Sequence, residues 1–173
     1  YFLDLKTLAA ARGVDPEKFY TGIGQEKMGI PPPDEDVVTM AASAAFRLKE
    51  QGAMEGVEAL LFATESGIDQ SKAAGMFVHG RLGLPERCRV VELKQACYSA
   101  TAALRLAMGL VAMKPKSKVL VIASDIARYE LGSPGESTQG CGAVAFTVSA
   151  DPCLLTIDPE AGFYADDVMD FWR

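Results

Sequence analysis

Residues 118–123 read Lys-Val-Leu-Val-Ile-Ala, and this stretch decides the fold class. The run is apolar on both faces, which is typical of a strand in a parallel sheet that helices cover on both sides. Two similar runs precede it, at Val57–Ala63 and Arg89–Leu93. Because helical patterns lie between these runs, the sequence predicts an α/β domain with a mainly parallel sheet covered by helices.

The remaining elements follow from periodicity and from capping residues. Acidic residues 34–36 precede one helical pattern and glycines 13 and 83 follow two others, as is common at helix ends. We predict helices at Leu3–Arg12, Val37–Gln51, Ser71–Leu82 and Tyr98–Met113, and further strands at Ala143–Ser149 and Leu154–Asp158. The stretch 15–33 is rich in Gly and Pro and is predicted to be irregular. No repeat or linker divides the chain, so residues 1–173 are predicted to form one unit.

Composition excludes several classes of protein. The chain has 173 residues, of which 49% are hydrophobic and 23% charged, as in ordinary globular domains. A net charge of −6 without a basic run argues against nucleic-acid binding. No apolar stretch approaches the ~20 residues of a membrane span, so we expect no membrane partner and a cytoplasmic location. Four cysteines without a CxxC pair and one histidine predict neither a metal site nor a disulfide scaffold.

Cys97 is the candidate nucleophile. It follows the predicted strand Arg89–Leu93 and a short loop, and it precedes a helix of small residues. Unpaired N–H groups and the dipole at a helix N-terminus stabilise a thiolate, and small neighbours would let the sulfur be held in a narrow pocket. A buried cysteine that only packs is the alternative, and position alone leaves both open. Cys88, Cys141 and Cys153 lack this context and are expected to be structural.

Two carboxylates are predicted at the same edge of the sheet as Cys97. Glu65 follows the strand Val57–Ala63, and Asp125 follows the strand at 118–123. Ligands of open α/β sheets gather at the carboxyl ends of the strands, so Glu65 is a candidate general acid or base. A solvated loop carboxylate or a helix cap is the alternative for Glu65 alone, but three convergent groups favour a site. His79 lies within a helical pattern and is predicted to be a packing or surface residue.

Residues 92–103 (Glu-Leu-Lys-Gln-Ala-Cys-Tyr-Ser-Ala-Thr-Ala-Ala), with 64–72 (Thr-Glu-Ser-Gly-Ile-Asp-Gln-Ser-Lys) upstream, closely resemble the 3-hydroxy-3-methylglutaryl-CoA (HMG-CoA) synthase family. Matching segments also lie at 22–28, 124–129, 135–140 and 169–173. The resemblance implies a thiolase-like fold, layered α/β/α/β/α in the intact protein. The chain would be the N-terminal half without its first strand and without the C-terminal half, which agrees with its start at a tyrosine and its aromatic end.

The resemblance also implies a ping-pong condensation of the bacterial mevalonate-pathway type, with CoA thioesters as substrates and no cofactor. Cys97 would take the acetyl group of acetyl-CoA as a thioester, and Glu65 would remove a proton from its methyl group. The resulting carbanion would attack the ketone of acetoacetyl-CoA, and hydrolysis would release (S)-HMG-CoA for isoprenoid synthesis. A homodimer is expected from the fold.

Other positions match residues that the family keeps around its site. The acids near the catalytic glutamate are Asp69, Asp125 and Asp170; the matches near bound acyl-CoA are Asp15, Lys18 and Thr138; and Tyr98 would shape the acyl pocket. The family's catalytic histidine lies in the second half of a longer chain and His79 does not correspond to it, so this chain alone is expected to be inactive. Ser99 stands where glycine is common, which would tighten the helix start.

Three other functions stay open. The first is a polyketide β-branching synthase that acts on an acyl carrier protein, although segment 22–28 and the short loop 134–142 are closer to the mevalonate type. The second is a ketoacyl synthase or degradative thiolase, which the Glu65 motif argues against. The third is a non-catalytic thiolase-like module in which Cys97 is merely buried. A catalytic thiolate would be alkylated selectively at neutral pH, whereas a packing thiol would not.

Overall fold

The computed structural model describes residues 1–151 and 154–168. In chain order its elements are β1 (Phe2–Asp4), α1 (Leu5–Arg12), α2 (Glu17–Tyr20), β2 (Lys27–Gly29), α3 (Val37–Glu50), β3 (Val57–Ala63), α4 (Ala74–Leu82), β4 (Arg89–Leu93), α5 (Ser99–Met113), β5 (Lys118–Ala127), a 3-10 helix (Glu136–Thr138) and β6 (Gly140–Val148). β1 and β2 form a small separate sheet, and the other four strands form the central sheet.

The central sheet has the strand order β4-β3-β5-β6. β3 lies between two parallel neighbours, with Ala63 opposite Leu93 of β4 and opposite Ala123 of β5. β6 is antiparallel to β5. The predicted mainly parallel sheet is therefore confirmed, and the predicted bounds of β3 and β4 agree with those observed.

Helices α3 and α4 cover one face of this sheet. Beneath them lie Leu60 and Phe62 of β3 and Leu120 and Ile122 of β5, all fully buried. Burial of each such side chain is worth roughly 1.5–3 kcal/mol relative to exposure, so this layer supplies much of the free energy of folding.

Helix α5 covers the opposite face and uses small residues to do so. Ala103 and Ala107 are fully buried, and they pack with Val111 against alternate residues of β3 and β5. Because alanine has only a Cβ, the helix backbone can approach the sheet closely. The two helix layers confirm the prediction that both faces of the sheet are covered.

Helix α3 begins at a capping box. The Asp36 carboxylate accepts hydrogen bonds from the N–H groups of Val38 and Thr39, and the Thr39 hydroxyl accepts one from the Asp36 N–H. The buried Ser124 hydroxyl of β5 donates to the Val37 carbonyl at 2.7 Å. The first turn of α3 is thereby fastened to β5, next to Asp125.

Some predicted bounds differ from those observed. α1 begins at Leu5 because Asp4 is its N-cap and accepts from the Lys6 N–H at 2.8 Å. α4 begins at Ala74 rather than Ser71, because residues before it form a loop of their own. β5 extends to Ala127, because its pairing with β6 continues beyond the parallel part of the sheet.

Two predictions about strands are wrong. The stretch Leu154–Asp158 is not a strand, and Leu154 and Leu155 are exposed. An apolar run needs a neighbouring strand to satisfy its backbone, and the described residues supply none there. The segment predicted as irregular contains β2, which pairs with β1 by placing Phe2 opposite Gly29. β1 and β2 have three residues each, which is too few for an alternation of apolar and polar residues to show in the sequence.

One helical stretch among the described residues, Ala96–Met113, is long and apolar enough to cross a membrane by length and composition alone. The expectation that no apolar stretch approaches that length is therefore wrong. Core helices also pass this test, and most of this stretch is α5, whose Ala103 and Ala107 face the sheet. Its other face is open, with Leu106 53% exposed.

The contact between α4 and β3 generates a stability prediction. A Cβ at Gly75 would lie 2.9 Å from Phe62 Cβ and 3.1 Å from Val90 Cγ1, whereas a Cβ at Gly80 of the same helix would meet nothing within 4 Å. We expect Gly75→Ala to lower the free energy of unfolding by about 1–3 kcal/mol through overpacking. Gly80→Ala should raise it by up to about 1 kcal/mol through helix propensity. Chemical denaturation measures both, and equal effects would contradict the packing described.

Candidate active site

Three candidate residues lie at one edge of the sheet, as predicted. Glu65 comes two residues after Ala63 of β3, and Cys97 comes four residues after Leu93 of β4. Asp125 lies two residues after Ala123, the last residue of β5 that pairs with β3. The strands that carry them are adjacent and parallel, so their carboxyl ends meet at this edge.

The turn that carries Glu65 is held by a single oxygen of Asp125. Asp125 Oδ1 accepts four hydrogen bonds: from the Thr64 hydroxyl at 2.9 Å, the Glu65 N–H at 2.8 Å, the Ser66 N–H at 3.1 Å and the Ser66 hydroxyl at 2.7 Å. The Ser66 hydroxyl in turn accepts from the Ile126 N–H at 2.9 Å. Residues 64–66 are thereby tied to β5 at both their backbone and their side chains.

The environment of this turn restricts its motion. Thr64 is 1% exposed, and Glu65, Ser66 and Asp125 are half-buried. The prediction that Asp125 follows the end of its strand is wrong. Asp125 lies inside β5, opposite Gly142 of β6. Antiparallel pairing with β6 therefore gives the acceptor oxygen a rigid support.

A tight loop places Cys97 just before α5. The Ser99 hydroxyl accepts from the Gln95 N–H at 2.6 Å and donates to the Ala96 carbonyl at 2.9 Å. Tyr98 is the N-cap residue of α5, so Cys97 precedes the helix by two residues. Ser99 is 3% exposed, and its two hydrogen bonds close the loop from inside at the start of the helix.

Ala96 carries backbone strain beside the candidate nucleophile. Its φ is +45°, the one positive φ of a non-glycine residue in the part of the chain that the structure describes. Such a conformation costs of order 1–3 kcal/mol and is most often found at functional sites. The loop therefore holds residue 97 in an orientation that a relaxed backbone would not adopt.

The expectation that Cys97 is held in a narrow pocket is wrong for this chain. Cys97 is exposed, and Tyr98 is 46% exposed. Within the residues that the structure describes, Cys97 does not pack as a buried cysteine.

Glu92 is a residue of this edge that the sequence analysis did not select. It is half-buried on β4, and its Oε2 accepts from the Ala74 N–H, the first amide of α4, at 2.6 Å. The signal in the sequence is a carboxylate between Val91 and Leu93 near the end of the strand, combined with an alanine at the N-cap of the preceding helix α4.

Asp69 lies further along the same loop and is exposed. Its Oδ1 accepts from the N–H groups of Lys72 at 2.6 Å and Ser71 at 2.7 Å. These hydrogen bonds hold the pKa of Asp69 below its usual value. The structure thus gives Asp69 a local turn-forming role, and its predicted place near the catalytic glutamate stays a prediction.

The predicted acyl-CoA contacts lie on the surface. Asp15 and Lys18 are exposed at α2, where the Asp15 carboxylate accepts from the Glu17 N–H at 3.0 Å. Thr138 is exposed in the 3-10 helix. Asp170 and Cys153 lie outside the described residues.

An ion pair fastens the loop of Thr138 to α1. Arg12 donates to both carboxylate oxygens of Glu136, at 2.6 and 2.8 Å, and the Gly132 N–H donates to the same carboxylate at 2.9 Å. Glu136 is 5% exposed. The Arg12 hydrogen bonds and then that of Gly132 lower the pKa of Glu136 from its usual 4.5 to about 2.

The other predicted polar residues take structural positions. The ring Nε2 of His79, a half-buried residue of α4, lies 3.0 Å from the Pro85 carbonyl oxygen, in agreement with the prediction of a packing or surface residue. Burial raises the pKa of the Cys88 and Cys141 thiols. Residues 1–151 and 154–168 contain no group of three or more His, Cys, Asp or Glu that could hold a metal ion.

Two adjoining cavities open beside the Glu65 turn and share Ile126 and Arg128. One, of about 310 Å³, reaches Ser66, Gly67 and the start of α3. The other, of about 260 Å³, reaches β2 and Gly140. The edge that carries the candidate residues is therefore concave on the side of β5.

A family model described as Hydroxymethylglutaryl-coenzyme A synthase N terminal matches residues 2–153. This chain belongs to the HMG-CoA synthase family. It is 46% identical to hydroxymethylglutaryl-CoA synthase of Enterococcus faecalis, with 100% of the chain matched to 45% of that protein. It is 37% identical to the polyketide biosynthesis 3-hydroxy-3-methylglutaryl-ACP synthase PksG of Bacillus subtilis, with 99% of the chain matched to 44% of that protein.

Solved structures of the HMG-CoA synthase family share the fold. A crystal structure of HMG-CoA synthase complexed with CoA superposes with a TM-score of 0.95 at 47% identity, and the match covers 100% of this chain and 45% of that one. The HMG synthase of the curacin biosynthetic pathway, in complex with holo donor-ACP, gives 0.81 at 37% identity over 87% of this chain and 38% of that one. The expected thiolase-like fold is confirmed, and the chain spans about half the length of its relatives.

The hydrogen bonds that Asp125 accepts from residues 64–66 generate a testable prediction. Asp125→Asn keeps the shape of the side chain but replaces the charged acceptor of four hydrogen bonds. We expect the free energy of unfolding to fall by about 1–3 kcal/mol, because the donors around this oxygen lose their charge-assisted partner. Asp158→Asn, at an exposed acid whose carboxylate accepts from the Glu160 N–H, is the matched control and should change it by less than about 0.5 kcal/mol. A loss of equal size in both variants would contradict the assigned role.

The Glu136 carboxylate generates a prediction about pH. Its pKa is lower in the folded chain than in the unfolded chain, so its stabilisation is present above about pH 4.5 and is lost as the pH falls toward about 2. Unfolding of the unmodified chain and of Glu136→Gln, measured from about pH 6 to about pH 2, should give free energies that converge. A constant difference over this range would show that the ion pair does not lower the pKa of Glu136.

Proposed function

We propose that this chain is the N-terminal half of an HMG-CoA synthase that condenses acetyl-CoA with acetoacetyl-CoA in the mevalonate pathway. The observation that carries the proposal is that Cys97 and Glu65 follow the carboxyl ends of the adjacent parallel strands β4 and β3, while Asp125 of β5 binds the turn of Glu65. A nucleophile and a carboxylate held at one edge by a rigid sheet are the two groups that an acyl transfer followed by carbon–carbon bond formation requires.

The proposed first step is acyl transfer to Cys97. The thiolate attacks the thioester carbonyl of acetyl-CoA, CoA leaves as its thiolate, and a thioester with Cys97 forms. The first-turn N–H groups of α5 point toward its N-terminus, where helices leave amides without intrahelical partners. They can stabilise negative charge on the thioester oxygen. The strained Ala96 and the Ser99 hydrogen bonds fix the backbone of the Cys97 loop at the start of α5.

The proposed second step uses Glu65 as a base. Its carboxylate takes a proton from the methyl group of the acetyl-enzyme, and the electron pair moves to the thioester oxygen as an enolate. The enolate carbon then attacks the ketone of acetoacetyl-CoA, and the alkoxide that forms takes up one proton, which balances the one that Glu65 removed. Water hydrolyses the thioester with Cys97, which releases HMG-CoA and the free Cys97 thiol. The hydrogen bond from the Glu65 N–H to Asp125 supports this role, because it holds the backbone of residue 65 in one place.

Substrate choice and assembly belong to the proposal as well. The higher identity to a relative named as a CoA enzyme, 46% against 37% for the acyl-carrier-protein type, favours CoA thioesters. CoA in one related structure and 3-hydroxy-3-methylglutaryl coenzyme A in another agree with this choice. We further propose a cytoplasmic homodimer that needs no cofactor, with Asp15, Lys18, Tyr98 and Thr138 near the substrate.

Trapping of the acyl-enzyme tests the function. The complete protein that contains this chain is incubated with acetyl-CoA, quenched in acid and mapped by mass spectrometry. We expect a mass increase of about 42 Da on the peptide with Cys97, lost when acetoacetyl-CoA is added and HMG-CoA appears. Cys97→Ala should abolish the label, and Cys141→Ala, at a half-buried cysteine of β6, should keep it.

The outcomes separate the candidate functions. An acetyl group on Cys97 that only an acyl-carrier-protein substrate discharges assigns the protein to polyketide β-branching. Absence of the label in a folded protein contradicts catalysis by Cys97 and favours a non-catalytic module.

A further inference from the structure

Glu92 joins the segment that leads to Cys97 with the segment that carries Glu65. It lies on β4, five residues before Cys97 in the chain. Its carboxylate contacts the loop that runs from Glu65 to the start of α4. One side chain therefore connects the strand of the nucleophile with the loop of the base.

The first contact is a helix cap supplied from another strand. Helix α4 has Ala73 at its N-cap position, and alanine has no side-chain acceptor for the amides of the first turn. Glu92 Oε2 accepts from the Ala74 N–H at 2.6 Å and takes over this task. A carboxylate at this end also interacts favourably with the helix dipole.

The second contact is with Gly67, two residues after Glu65. A Cβ built on Gly67 would lie 3.2 Å from Glu92 Oε1 and 3.9 Å from Thr64 Cγ2. The second carboxylate oxygen thus lies against the backbone of the turn. The absence of a side chain at residue 67 is what allows this close approach.

The loop between β3 and α4 is consequently held at both ends by carboxylates from neighbouring strands. Asp125 of β5 binds residues 64–66, and Glu92 of β4 binds Ala74 and lies against Gly67. The turn formed by Asp69 stiffens the middle. Asp125 is one of the family acids that the resemblance already assigns, whereas Glu92 has no assigned role.

We infer that Glu92 is a positioning residue that sets the Glu65 turn relative to the Cys97 loop, and this inference rests on the proposed function. Removal of the Glu92 side chain releases the α4 end of the loop, while Ser99 and Ala96 still shape the Cys97 loop. The proton transfer to Glu65 is then slowed, and the transfer of acetyl to Cys97 is not. A misplacement of about 1 Å is enough to slow a reaction by up to about a hundredfold.

The experiment measures the two steps separately in the complete protein. Acetylation of Cys97 is followed by rapid quench and mass spectrometry. Proton removal is followed without the second substrate, as deuterium exchange into the methyl group of the acetyl-enzyme in D₂O. In Glu92→Ala we expect exchange to fall by at least about tenfold and acetylation to change by less than about twofold. Glu92→Gln, which keeps an acceptor oxygen for the Ala74 N–H, should recover part of the exchange rate.

Glu58→Ala is the matched control. Glu58 is also a strand carboxylate that accepts a 2.6 Å hydrogen bond, from Lys114 Nζ, but it lies near the start of β3, at the opposite edge of the sheet. This variant should alter neither rate. An equal fall of exchange and acetylation in Glu92→Ala, or no change in either, would overturn the inference. Absence of acetylation in the unmodified protein would instead overturn the proposed function.

Discussion

One oxygen atom of Asp125 is the constraint on which the candidate site depends. It accepts four hydrogen bonds from three consecutive residues after β3. The hydroxyl of one of these residues, Ser66, also accepts a hydrogen bond from the Ile126 N–H of β5. The sheet places this oxygen because β6 extends β5 beyond the part that pairs with β3. Strand β5 therefore links the fold to the site. Its antiparallel partner β6 is as important for the position of Asp125 as its parallel neighbour β3.

The turn after β3 is preorganised by these contacts. Several short hydrogen bonds that share one acceptor cannot be lost one at a time without leaving a half-buried donor unpaired, so the turn has one stable arrangement. The backbone position of residue 65 is then set when the chain folds. Under the proposed function, substrate binding would not have to supply the free energy for placing it, which is the usual advantage of building a site on rigid elements rather than on long loops.

The sequence predicted those parts of the molecule whose stability is local or depends on burial. β3 and β4 are apolar runs bounded by polar residues, and their bounds agree with the prediction. The three residues at the sheet edge were found because parallel strands end on the same side. Two kinds of feature were missed. β1 and β2 form only through pairing with each other, and Glu92 caps a helix 18 residues away in the chain. The exposure of Cys97 also lay beyond the sequence, because it depends on what covers α5.

The ion pair of Arg12 and Glu136 has a consequence for how such sequences diverge. The two residues are 124 positions apart, and Glu136 is almost fully buried. Loss of Arg12 leaves the buried Glu136 carboxylate without its cation, which costs stability, whereas loss of Glu136 leaves an exposed guanidinium that water can solvate. A substitution of Arg12 is therefore selected against unless position 136 changes as well. Among related chains, a change at position 12 should be accompanied by a change at position 136.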